Sequence, residues 1–192
     1  MTDRPRVLRA STGLVWLVGV AAVALFLLGD VVVRGSWAQA LLVAPWMLIP
    51  VWFVYVFLYA PHLAVDEDRV RVHNPLRTID LPWSTVDDVV MRWQLEFHLT
   101  ADAAATGVGG RKGIVESWAV THRRRRARLD RRAMQAERTG MSSDATLEVI
   151  RGLHASVGRQ PGARASASWD IPPLVAAAAI AAWCVAAVLL AG

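Results

Sequence analysis

The chain has a single cysteine, Cys184, which excludes an intramolecular disulfide. No histidine or acid stands at metal-ligand spacing from it, so it reads as an apolar packing residue. Charge is missing from three long stretches, Gly13–Leu28, Ala40–Tyr59 and Ile171–Ala191. A span without an ionisable side chain lacks the group that usually marks an ion or proton path, which argues against a transporter or channel. Catalytic pairings are missing as well. The histidines at 62, 73, 98, 122 and 154 include no i, i+4 pair. Asp87, Asp88 and Glu96 offer carboxylates, but no nucleophile–base or paired-acid arrangement is legible around them, and Asp87 and Asp88 read as turn residues. The expectation is a protein that is not an enzyme and needs no metal or other cofactor.

What is present is hydrophobicity, 55% of the residues, beside 21 Lys+Arg against 16 Asp+Glu. The two are segregated. Outside the block from His62 to Asp170 the charged residues are Asp3, Arg4, Arg6, Arg9, Asp30 and Arg34. Each uncharged run, wound at ~1.5 Å per residue, reaches across most or all of a ~30 Å hydrocarbon core. Backbone amides have no water to bond there, so each run should be helical. Pro45 and Pro50 should kink the second. Trp37, Tyr59 and Trp169 fall near span ends, where amphipathic rings favour the headgroup layer. Ala38-Gln39-Ala40 resembles a signal cleavage site, but it lies well past the first run and abuts the second, so the first run is expected to stay.

The organisation expected from this is a cytoplasmic tail 1–12, a span 13–28, an external loop 29–39 and a span 40–59. A soluble domain 60–158, a linker 159–170 and a span 171–191 follow. The arginines of the tail and of the soluble block favour the cytoplasmic side, against Arg34 alone in the loop. The protein is therefore expected in the cell membrane, with its C-terminus outside.

Within the soluble block the apolar period is two, which indicates strands. Leu63 and Val65 are followed by an acidic turn at Asp66-Glu67-Asp68, then by Val70 and Val72. Across Asn74-Pro75 the apolar parity shifts to Ile79, Leu81 and Trp83, which predicts a bulge or tight bend. Val89, Met91, Trp93, Leu95, Phe97 and Leu99 form either one long strand or two joined by a sharp bend. A small-residue loop over 101–113 leads to a last strand near 114–120. Trp83, Trp93 and Trp118 are expected in the core. The period then changes. An arginine-rich helical segment is expected over 121–143, and Ser143 or Asp144 can cap a closing helix with Leu147, Ile150, Leu153 and Val157 on its apolar face. The order predicts an integral membrane helical protein with three spans plus an α+β domain, its antiparallel sheet packed on one helix.

The stretch from Tyr59 to Asp66, then Val70 to Thr78 with its Asn74-Pro75-Leu76-Arg77 turn, then Leu81-Pro82-Trp83-Ser84-Thr85-Val86, resembles a bacterial pleckstrin-homology-like family of actinobacterial membrane proteins, akin to low-molecular-weight protein antigen 6. The resemblance covers roughly residues 51–120. It implies a small, strongly bent antiparallel sheet or partial barrel with a C-terminal helix, no enzymatic activity, and structural roles for Pro61, Asn74, Pro75, Arg77, Pro82 and Trp83. The segment 121–143 would be a basic insertion in that fold. The acidic turn at 66–68 stands where pleckstrin-homology domains carry basic phosphoinositide ligands, so that binding does not transfer.

Arg123, Arg124, Arg125, Arg126, Arg128, Arg131 and Arg132 are the candidate contacts to anionic phospholipid headgroups, at about 1 kcal/mol for each cation near the surface. The plainer alternative is a solvated helix. No helix-turn-helix, zinc-finger or base-stacking pattern accompanies the run, so nucleic acid is not an expected partner. Gly107–Gly113 lacks the Gly-Lys-Ser/Thr order of a phosphate loop and reads as a strand connection. The function expected is a membrane-anchored scaffold that meets a protein partner or a second copy at the inner leaflet. The alternative is a module that binds or senses lipid.

Overall fold

A computed structural model describes residues 6–9, 12–121, 143–156 and 163–191. The arginines from 123 to 132, the rest of the 121–143 insertion beyond Thr121 and Ser143, and Val157 lie outside the described residues. The chain divides into a helical unit, 11–60 with 169–192, and a sheet unit, 1–10 with 61–168.

Apolar length builds the helical unit. Helix α1 spans Thr12–Arg34, α2 spans Trp37–Val54 and continues as a π-helical turn Tyr55–Tyr59, and the last helix, α5, spans Ile171–Ala191. Counting that turn with α2, they run 23, 23 and 21 residues, long and apolar enough to cross a membrane. Most of their surface faces outward, as lipid-facing helices require. Helix α1 runs past Leu28 through Arg34, and its last turn holds an i, i+4 pair in which Arg34 Nε lies 2.7 Å from Asp30 Oδ1. The connection to α2 is therefore only Gly35 and Ser36, much tighter than a loop over 29–39. The Ser36 hydroxyl caps α2 by accepting the Gln39 amide at 3.2 Å. Pro45 and Pro50 both lie inside α2, and the π turn follows them, where the Ala60 amide reaches back five residues to Tyr55 O at 2.7 Å. The Trp52 indole donates to Pro173 O at 2.9 Å and ties α2 to α5.

Alternating valine and leucine build the other unit. A five-stranded sheet has the order β1 (Arg6–Arg9), β2 (His62–Val65), β3 (Arg69–Asn74), β4 (Arg77–Pro82), β8 (Ser166–Trp169). A three-stranded sheet holds β5 (Val86–Met91), β6 (Gln94–Leu99) and β7 (Ile114–Thr121). A short helix α3 (Ala101–Ala104) follows β6, and the closing helix α4 spans Ser143–Ser156. Strands β1 and β8 fall in stretches read from sequence as tail and linker. Each is a four-residue strand, half polar and too short to show a period, and forms only because a partner strand takes its amides.

The core is made by Leu63, Val70, Val72, Leu81, Leu95, Phe97 and Ile150, all fully enclosed. Registers explain the sequence pattern. Val72 pairs with Ile79 and Val70 with Leu81 across a two-residue turn, Pro75-Leu76, so the inward parity must flip. Leu76 there takes φ 61°, the left-handed region that such a turn asks of its second residue. The stripe from Val89 to Leu99 is two strands joined at Arg92-Trp93, with Met91 opposite Leu95. Asp87 and Asp88 lie within β5, where the register slips.

Two of the three tryptophans expected in the core are elsewhere. Trp83 is 2% exposed and packs inside, but Trp93 is 71% and Trp118 50% exposed. Trp93 sits in the turn, off the stripe. On β7 the inward positions belong to the smaller Val115, Ser117 and Ala119, which turns Trp118 outward.

Candidate functional site

Three chain connections define one end of the sheet unit. Only Ala10 and Ser11 separate β1 from α1, only Ala60 and Pro61 separate the π turn from β2, and only Asp170 separates β8 from α5. All three strands belong to the five-stranded sheet.

At that end Arg9, His62 and His73 occupy one cross-strand row, continued by Thr78 on β4. The His62 and His73 rings stack with centroids 4.6 Å apart, and Thr78 Oγ1 lies 2.8 Å from His73 Nδ1. Sequence spacing hid this pair because strand register, not local periodicity, brings the two rings together. Asn74, next along β3, ties the two sheets. Its amide donates to Glu116 O at 2.7 Å, and its Oδ1 accepts the Trp118 amide at 2.9 Å. Arg77 pairs with Asn74 in the register. Trp93 immediately precedes Gln94, which pairs with Thr121, while Leu95 pairs with Ser117. Trp93, Trp118, Asn74, Arg77 and the Arg9 row therefore share the end that feeds the helices.

The opposite end is acidic and closed. Asp66 Oδ1 accepts the amides of Asp68 and Arg69 at 3.0 and 2.8 Å, which fixes the turn between β2 and β3. Pro82 leads into a 3₁₀ turn at Trp83–Thr85, whose Thr85 hydroxyl donates to Pro82 O at 2.7 Å. The Trp83 indole donates to Asp66 O at 3.0 Å, and the same ring lies 5.8 Å from the His154 ring of α4. Arg69 and Arg71 both reach Asp80 Oδ2, at 3.4 and 3.1 Å. Helix α4 also closes an edge. Arg151 Nε donates to Val89 O at 3.0 Å, and His154 Nε2 lies 2.9 Å from Val86 O, so side chains occupy carbonyls that a strand partner would need.

Of the residues that carried the resemblance, Pro61 is buried at the entry to β2, Pro75 sits in the β3–β4 turn, and Asn74 and Trp83 make the bonds just described. The glycine loop uses its amides internally. Gly113 N bonds Gly110 O at 3.3 Å and Ile114 N bonds Gly109 O at 3.1 Å, so these amides are spent on the loop's own turns. Among the described residues no group of three or more His, Cys, Asp or Glu could hold a metal ion. In the helical unit an apolar hollow of about 420 Å³ is lined by Trp16, Gly19, Val20, Val23, Met47 and Pro50. Comparison with protein-family models, with the curated proteins and with the solved structures gives no match.

Proposed function

We propose that this chain is a non-catalytic, membrane-anchored module of bacterial pleckstrin-homology-like type, which acts as a scaffold for a protein partner at the inner leaflet. The observation that carries the reading is the set of three one- or two-residue links between apolar helices and one sheet. Links that short join the sheet directly to the apolar helices, which suits an adaptor that meets its partner at the membrane. Arg123, Arg124, Arg125, Arg126, Arg128, Arg131 and Arg132 would add contacts to anionic headgroups and orient the domain. The surface beside α4, rather than the β5 edge, is the proposed seat for a partner segment, since the β5 carbonyls of Val86 and Val89 are already taken. Lipid handling by the sheet itself would need an apolar cavity at its centre. Phe97, Leu63, Leu81, Leu95 and Ile150 fill that centre, which favours the protein-partner reading.

In-cell crosslinking of the full-length protein, with mass spectrometry of what co-purifies, tests this. A reproducible partner crosslinked beside α4 is expected. Crosslinks confined to lipid would overturn the scaffold reading in favour of lipid binding.

A further inference from the structure

We propose that the end of the sheet unit bearing Trp93 and Trp118 seats in the headgroup layer of the bilayer, with both indoles as interfacial anchors. The inference rests on the reading of the chain as membrane-anchored, and it concerns a surface that reading leaves without a role.

Indoles exposed to 71% and 50% are costly in water, and both lie at one end of the unit. The Asn74 side chain fixes Trp118 there by holding the backbone on either side of Ser117. Trp93 is placed by the turn that precedes the Gln94–Thr121 pair. Asn74 follows His73, and His73 shares its row with His62 and Arg9. From Arg9 to Thr12 is three residue steps, and from Tyr59 to His62 another three. At ~3.6 Å per step, neither link can exceed about 11 Å. Helix α1, with 23 residues, is about 34 Å long, so its ends fall at the edges of a ~30 Å hydrocarbon core. The headgroup layer beyond is roughly 5–8 Å deep. Link lengths alone thus bring the headgroup layer within reach of the row and of the indoles beside it.

The side chains suit that layer. Indole has an apolar body and a donor N–H, the combination enriched at membrane interfaces. Arg9, Arg77 and Arg92 stand at the same end, with Asp170 beside them and Glu96 3.9 Å from Arg92, while Asp66, Glu67 and Asp68, followed by Arg69, stand at the opposite one. Arginines at the first end add attraction to an anionic leaflet, and the acidic turn at the second adds none.

Photo-crosslinking of the full chain tests this, with p-benzoylphenylalanine replacing Trp93, Trp118 or, as a control at the acidic end, Glu67. The protein is reconstituted in vesicles of phosphatidylethanolamine and phosphatidylglycerol and irradiated, and adducts are identified by mass. Lipid adducts at positions 93 and 118, and not at 67, are expected. Crosslinks from 93 and 118 to residues 122–142 of the same chain, or to a second copy, would overturn the proposal, as would the absence of lipid adducts. Alkaline extraction of the same vesicles separates the two readings. Release of the chain would defeat the anchor itself, whereas a retained chain without adducts defeats only the interfacial seat.

Discussion

Asn74 shows how much one side chain can decide. Its amide reaches two backbone groups of β7 from the end of β3, so it joins sheets whose strands are otherwise paired only within themselves. Replacing it by alanine leaves Glu116 O and the Trp118 amide without these bonds, at a cost of about 1–3 kcal/mol. Asn74→Ala is expected to lower the thermal unfolding midpoint of the detergent-solubilised protein. Asn74→Asp, which keeps only the acceptor, should fall between the two. An unchanged midpoint for alanine would mean that water replaces both bonds. The residue was legible in the sequence as half of an Asn-Pro turn, but its bridging role was not. That role depends on β7 arriving more than forty positions later, and no local pattern announces such a bond. The exposed tryptophans were misread for a related reason. Parity assigns a face only once the inward positions of the strand are known, and on β7 those belong to small residues.

At the scale of elements, the close approach of α1 to the π turn after α2 rests on a glycine. A Cβ on Gly13 would collide with Leu58 O and stand 2.9 Å from Tyr59 Cα. Gly13→Val should therefore push the two helices apart, with a loss of about 1–3 kcal/mol as for other overpacked contacts. Gly19→Ala on the same helix meets nothing within 4 Å and is the control expected to unfold like the parent. Equal midpoints for the two variants would show that the contact is dispensable. The long helices were readable because twenty apolar residues in succession leave little choice of structure. The short strands β1 and β8 were not, because four residues, half of them polar, become a strand only when a neighbour offers its edge. Length also misled at α1. The apolar run stops at Leu28, but the helix goes on, since Asp30 and Arg34 pair across one turn.

For the whole molecule, three apolar helices are joined to one sheet through links of one or two residues. The arginines of the tail and of the soluble block are expected to keep that sheet on the cytoplasmic side, with the Gly35-Ser36 turn facing outward. The single native thiol makes this directly measurable. In a Cys184→Ala background, Ser36→Cys reports on the helical turn and Glu67→Cys on the sheet unit, each probed with a membrane-impermeant maleimide. Labelling of Ser36→Cys in intact cells, with Glu67→Cys reactive only after permeabilisation, is the predicted result. Labelling of Glu67→Cys in intact cells, with Ser36→Cys protected, would contradict the topology and with it the inner-leaflet function.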